Sequence, residues 1–336
     1  MFLISDAAQA RKAARQAPGA DVGVDFGTGH VVIWKRGQGL VLHAPSIIAL
    51  NCKAQHRVLA VGDQAKRYAG RTPRGIRVIS PMQGGMVADL DMAETLLKTL
   101  LQSCHGPGRR RRLAIAIPLD ATDVERNALL GLAGELGYAA VQGLPSPLAA
   151  ALGAGLPVLE PRASMVLDLG SGCCEAAIVA MGGIVTSRTL RSGGNELDAA
   201  VQQQIRLQHH LHAGQEACEA LRQDLGSLDP AHDTRRLPIK GLDTRKGLPC
   251  AMEIEAAELR PILTRFALAV ADTARSVLER CPPELSGDLL ESGITLCGGL
   301  ALQHGLAAFL QQELRLPVFQ DAAPLTTVAR GLGAAF

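Results

Sequence analysis

One pattern occurs twice in this chain and limits what it can fold into. Val22 to Ile33, "VGVDFGTGHVVI", and Val166 to Ile178, "VLDLGSGCCEAAI", both run from apolar residues into Asp, one apolar residue, Gly, Thr or Ser, Gly, and then apolar residues again. Asp25 pairs with Asp168, Gly27 with Gly170, Thr28 with Ser171 and Gly29 with Gly172. A buried strand would run on without a carboxylate and two glycines, so each copy predicts strand, tight turn, strand. The copies lie about a domain's length apart, and each of two domains is expected to open with the same unit.

The chemistry of such a unit follows from its residues. Glycines let backbone N–H groups approach an anion and a hydroxyl adds a donor, so the turn reads as a phosphate cradle. An aspartate at the end of the preceding strand would repel phosphate, but it suits a divalent metal lying, with its waters, between carboxylate and phosphate. One copy alone reads equally well as an ordinary hairpin. The duplicate with its matched Asp favours two turns clamping a nucleotide. No Gly-x-x-x-x-Gly-Lys-Ser/Thr and no Gly-x-Gly-x-x-Gly is present, so neither a P-loop nor a dinucleotide fold is supported. A third glycine element, "CGGLALQHG" after a short strand at Ile294 to Leu296, reads either as backbone passing beneath the nucleotide or as a plain strand–helix turn.

Composition sets the wider bounds. The 336 residues suit about two domains, and with six Phe, two Tyr and one Trp the core must be aliphatic. The 34 basic and 32 acidic residues leave a net charge of +2, which gives no general reason to bind nucleic acid. Eight cysteines without a Cys-x-x-Cys pair read as reduced thiols in a cytoplasmic protein, and the adjacent Cys173 and Cys174 would point to opposite faces of a strand. The longest uncharged run, Leu136 to Leu159, is broken by Pro and Gly and reads as a loop plus an Ala-rich helix, not a membrane span. The first 20 residues carry an apolar tip followed by Arg11, Lys12 and Arg15, and read either as a frayed tail or as an amphipathic anchor at the inner membrane surface. Arg109 to Arg112 is a solvated loop unless that tail lies on lipid. Strand alternation at "DVGVDFGTGHVVIWK" and "RRLAIAIPLD" mixes with helical periodicity at Met92 to Leu101, Thr122 to Leu136, Glu196 to Leu211, Glu216 to Leu225 and Glu258 to Glu279. The mixture predicts an α/β protein.

The two cradles and the late Gly-Gly resemble the phosphate and adenosine elements of the actin, sugar-kinase and heat-shock ATPase superfamily. Further stretches are similar to the bacterial actin homologue MreB, among them "RGQGLVLHAPSIIAL", "VGDQAKRYAGRTP", "GGMVADLDM", "GGIVTSRTLRSGGNELDAAV" and "LERCPPELSGDLLESGITLCGGLAL". The resemblance runs from about Asp21 to Gly333. It implies an actin-like ATPase fold of two related domains around a nucleotide cleft, each with a smaller inserted subdomain. Domain I would span 21–160 with its insertion at about 51–84. Domain II would span 161–336 with its insertion at about 198–252, and the last residues would pack back on domain I.

The resemblance also implies ATP or GTP with Mg2+, self-assembly into filaments, a place at the inner membrane with the cell-wall synthesis machinery, and a role in cell shape. By position, Thr28, Gly29, His30, Ser171, Gly172 and Cys173 would face the phosphates. Asp25 and Asp168 would hold the metal through water. Gly193 and Gly194 would also bind the nucleotide, Glu219 and Arg222 would contact the nucleoside, and Gly298, Gly299, Leu300 and Ala301 would pass beneath it. Glu125 would position the attacking water, although Thr122-x-x-Glu125 also reads as a capping box. The family's second water-positioning residue is a threonine, and Cys174 stands at that position. A thiol is a weaker hydrogen-bonding group than a hydroxyl, so hydrolysis is expected to be slow or lost. His30, Pro145, Ser146, Asn195 and Leu300 also depart from the family pattern.

Smaller features carry less. His209 and His212 are spaced as metal ligands on one helix would be, but have no acidic or cysteine partner nearby, and His43 has no evident catalytic partner. Three functional classes stay open on the sequence. They are a filament-forming cytoskeletal nucleotide-binding protein, a small-molecule kinase or chaperone-type ATPase on the same fold, and a silent partner of conventional MreB filaments.

Overall fold

The computed structural model describes residues 21–53, 57–104 and 111–334. The basic tail, Arg109 and Arg110 lie outside them. Aliphatic and β-branched residues build β1 (Val22–Phe26), β2 (His30–Lys35) and β3 (Gly39–Pro45), joined as consecutive antiparallel neighbours. A small sheet follows from β4 (Ile48–Asn51), β5 (Arg57–Val61) and β6 (Ile76–Ile79), with the short helix α1 (Gly62–Lys66) after β5. The tight hairpin of β7 (Met82–Gln83) and β8 (Met86–Val87) leads to α2 (Leu90–Cys104), β9 (Arg112–Ile117) and α3 (Asp123–Gly134). This half closes with β10 (Ala140–Pro145) and α4 (Ser146–Gly153), so the uncharged run read as loop plus helix contains a strand as well. Pairing with β9 over six residues in parallel register supplies the order that local sequence did not.

The second half repeats the plan. β11 (Ser164–Leu169), β12 (Cys174–Ala180) and β13 (Gly183–Leu190) are followed by α5 (Gly194–His209), β14 (Leu211–Ala213), α6 (Gln215–Leu225), β15 (Arg236–Asp243) and β16 (Pro249–Glu255). Then come α7 (Ala256–Leu278), α8 (Pro283–Ser292), β17 (Ile294–Cys297), α9 (Leu306–Leu314), β18 (Val318–Gln320) and α10 (Thr327–Ala334). The large sheets are ordered β10-β9-β1-β2-β3 and β13-β12-β11-β17-β18. In each, the strand that carries the aspartate lies between its antiparallel hairpin partner and a parallel strand, β9 beside β1 and β17 beside β11. The sequence repeat is therefore also a repeat of topology.

β12 is buried at every position, as expected of a strand covered on both faces. Each half has its own aliphatic core, and a third cluster joins them through small residues: Ala114 and Ala116 of β9, Ala149 to Ala151 of α4, Val166, Val179 and Cys297 of the second sheet, and Val328 and Leu332 of α10. The last helix crosses back to the first half and packs on α4 and β1. A Cβ on Gly331 would fall 1.7 Å from the Ala149 carbonyl oxygen, so α4 and α10 touch backbone to backbone.

Candidate functional site

The two glycine turns close in the same way. Gly27 N–H donates to the His30 carbonyl at 3.0 Å and Gly170 N–H to the Cys173 carbonyl at 3.0 Å. Each turn is braced from behind. Ser46 donates its N–H to the Gly29 carbonyl at 2.9 Å and its hydroxyl to the Gly27 carbonyl at 2.6 Å. Behind the second turn, Gly194 and Asn195 donate to the carbonyls of Gly170 and Ser171 at 3.2 and 2.9 Å. The N–H groups of Thr28, Gly29, Ser171 and Gly172 have no acceptor among the described residues. Four donors at two tips, with the carbonyls tied behind, can receive an anion.

The tips meet across the cleft. A Cβ on Gly172 would lie 2.4 Å from Thr28 Oγ1, and one on Gly29 would lie 2.6 Å from Ser171 Oγ, so only glycine permits this approach. Thr28 is 7% exposed, and its Oγ1 accepts the Gly85 N–H at 2.7 Å. Gly85 stands in the β7–β8 turn, and a Cβ there would lie 3.0 Å from Cys173 Sγ. The turn at Gly84 and Gly85 therefore touches both cradles, a role that the sequence did not assign to it.

Three buried carboxylates, Asp25, Asp168 and Glu175, lie on the strands that flank the turns. Burial, and then Asp168, raise Asp25 to about 7, while burial raises Asp168 to about 6. Glu175, opposite Asp168 in the β11–β12 register and 3% exposed, is raised to about 8 chiefly by burial. Its Oε1 accepts the Leu119 N–H at 2.6 Å, a bond from the second half of the molecule to the loop after β9 in the first. Beside it Arg191 Nε donates to Asp120 Oδ2 at 2.7 Å. A glutamate inside the apolar run "CCEAAIVA" was the available signal for Glu175.

Several expected residues are placed differently. Cys174 is not at the cleft: it is 2% exposed and packs in the second core with Met165, Leu167, Leu169 and Ala176. Alternation along β12 gives the cleft side to its neighbours, where Cys173 Sγ meets the Gly85 turn and Glu175 bonds Leu119. The Glu125 carboxylate is held in the capping box, accepting the Thr122 N–H at 2.8 Å and the Thr122 hydroxyl at 2.7 Å, and its pKa is lowered by those bonds. Gly193 donates to Glu196 Oε2 at 2.9 Å, and with Gly194 it braces the second turn from behind instead of facing the anion.

Arg222 is buried, and its guanidinium donates to Asp198 Oδ1 at 2.5 Å and Gln303 Oε1 at 3.1 Å. Gln303 in turn donates to the Gly226 carbonyl at 2.7 Å. Arg222 thus fastens α5, α6 and the Gly298–Gln303 segment together. Glu219 accepts from Gln223 at 3.1 Å. The side chains of Leu300 and Ala301 are buried in the second core, which leaves only backbone to face a ligand. Gly298 (φ 82°) follows the same core strand, and a Cβ there would meet the Leu169 carbonyl oxygen at 2.4 Å, while Gly299 borders Leu325. The His30 ring lies 4.7 Å from that of His43. His209 and His212 do not share a helix: α5 ends at His209, which bonds Glu258, and His212 lies in β14.

Among the described residues no three His, Cys, Asp or Glu side chains are arranged to ligate a metal directly, and no helix is long and apolar enough to cross a membrane. Asp25 and Asp168 have no cationic partner among them either. Two buried carboxylates beside anion-receiving turns suit a hydrated cation held through its waters.

A family model described as MreB/Mbl protein matches residues 19–336. The cell shape-determining protein MreB of Escherichia coli K12 is 35% identical over 321 residues, covering 94% of this chain and 92% of that protein. The cell shape-determining protein Mbl of Bacillus subtilis is 35% identical over 315 residues, covering 93% and 94%. Among solved structures, MreB5 of Spiroplasma citri bound to AMPPNP superposes with a TM-score of 0.88 at 32% identity, covering 94% of this chain and 95% of its own. The MamK double helical filament, at 20% identity and a TM-score of 0.80, shares the fold.

Proposed function

This chain belongs to the MreB/Mbl family, and from that premise we propose that it is a nucleotide-dependent, actin-like cytoskeletal filament protein that acts in bacterial cell shape. The observation that carries the reading is the facing pair of glycine turns whose tip N–H donors have no acceptor among the described residues. The similar MreB5 binds AMPPNP and, in another structure, ADP. In our reading the ligand here is ATP with Mg2+. The N–H groups of Thr28, Gly29, His30, Ser171, Gly172 and Cys173 hold the phosphates, Glu219 and the backbone of Gly298–Ala301 border the nucleoside, and Arg222 sets that border from beneath. Asp25 and Asp168 would hold the metal through water, and the metal would neutralise phosphate charge.

Domain I is drawn as 21–160 and domain II as 161–336, with insertions at about 51–84 and 198–252. Copies of the chain assemble end to end, and the filament works at the inner membrane with the cell-wall synthesis machinery. Hydrolysis is slow or absent. Cys174 lies in the core, and the Glu125 carboxylate is occupied by Thr122 and so is not free to orient a water. Pelleting and electron microscopy with and without ATP and Mg2+, with phosphate release followed in the same tubes, test the proposal. Filaments that depend on nucleotide, with little phosphate released, are expected. Ordinary turnover without filaments would favour a small-molecule kinase on the same fold.

A further inference from the structure

The loop between β9 and α3 belongs to the first half of the molecule but is docked on the second by two polar contacts. They are unequal. Arg191 and Asp120 pair where Arg191 is 76% exposed, and such pairs contribute little in water. Leu119 N–H donates at 2.6 Å to a carboxyl oxygen of Glu175, which is 3% exposed, and losing a buried hydrogen bond leaves its donor unsatisfied at a real cost. Glu175 also lies two residues after Cys173, so a movement of its strand moves the second cradle.

The surroundings of Glu175 oppose its ionisation. Burial, with smaller contributions from Asp168, Asp120 and Asp25, raises its pKa to about 8 against the lowering effect of the Leu119 hydrogen bond.

We infer that Glu175 is a positioning residue whose grip on the Leu119 N–H latches the two halves of the cleft and sets the rate at which nucleotide enters and leaves. The inference rests on the nucleotide reading above. It assigns no chemical step to Glu175.

Two measurements decide it. In nucleotide-free protein, E175A is expected to raise amide exchange at Leu119 about tenfold or more, in line with the loss of a buried hydrogen bond. Release of a fluorescent ATP analogue is expected to quicken by a similar factor, while thermal unfolding stays cooperative. L119P deletes the donor and is expected to match E175A in release rate, and the double variant to be no faster than either. E175Q keeps an acceptor oxygen and falls between. Unchanged Leu119 exchange in E175A, or additive effects of the two substitutions on release, overturns the latch. Failure of the wild type to bind the analogue overturns the nucleotide reading and the exchange role with it, whereas the Leu119 amide still reports on the contact itself.

Discussion

Thr28 and Gly172 share one space: the threonine Oγ1 lies 2.4 Å from the position a Gly172 Cβ would take. The same relation holds in mirror order between Ser171 and Gly29 at 2.6 Å. Each cradle is therefore shaped by the hydroxyl of the other, and neither is complete alone. A methyl at either glycine must push a hydroxyl and its turn aside. G172A is expected to weaken nucleotide binding about tenfold or more, with an overpacking cost of roughly 1–3 kcal/mol. Calorimetric titration with ATP and Mg2+ checks it, and wild-type affinity in G172A would contradict the shared-space geometry.

Buried carboxylates without cations give a pH dependence of definite sign. Asp25, Asp168 and Glu175 are raised to about 7, 6 and 8, so between about pH 4 and those values the folded chain holds protons that the unfolded chain releases. Stability present at low pH is lost as pH rises through the folded values. Nucleotide-free protein is expected to melt at a higher temperature at pH 5.5 than at pH 8, on the order of a few degrees apart. D25N should narrow that gap. A thermal scan across pH reads both, and a melting temperature that rises with pH would reverse the sign.

Restoring a threonine at position 174 is expected to do nothing for hydrolysis. The side chain would bring a hydroxyl into the second core, at a cost of about 1–3 kcal/mol if it finds no partner. C174T should therefore melt lower with phosphate release unchanged. C173T, at the cleft, is the substitution that can alter turnover. A gain of phosphate release in C174T would return that residue to the site.

Arg222 offers a test of the nucleoside border. Its partner Asp198 is 4% exposed, and removing the guanidinium leaves a buried carboxylate unpaired. R222A is expected to cost about 3–5 kcal/mol, measured by denaturant unfolding. A loss of binding with unfolding unaltered would instead mean that Arg222 touches the ligand directly.

Glu125 gives the opposite expectation. E125A removes a capping box at an exposed helix start and should cost roughly 1 kcal/mol, with no fall in phosphate release. A large fall in release with an intact melt would show that the carboxylate leaves Thr122 to serve the cleft.

What was legible beforehand followed from pattern. The glycine turns, their aspartates and the paired strand–turn–strand units stood in the sequence because the backbone there needs specific residues. Which face a neighbour takes did not. Cys173 and Cys174 are adjacent and chemically alike, and only the register of β12 against β11 sends one to the cleft and the other to the core. Arg222 and Glu125 could be placed on their helices, but their partners Asp198, Gln303 and Thr122 decide what their charges do, and the first two are distant in sequence. Gly85 and Leu119 act through backbone N–H groups, which every residue type but proline carries, so nothing in their identity announced them.

The helix at Thr327–Ala334, seated on α4 and against β1, has a consequence for synthesis. A Cβ on Gly23, near the start of the first strand, would lie 2.8 Å from the Gly333 nitrogen, so positions from opposite ends of the described chain meet in one layer. The first sheet emerges early from the ribosome, yet one flank of β1 stays uncovered until translation has passed the whole second half. Until then the nascent first half exposes apolar surface that the last helix covers in the finished fold. Completion of the first half is thereby a signal that the second has been made, and a chain interrupted before Thr327 is left with an open seam beside the strand that leads into Asp25.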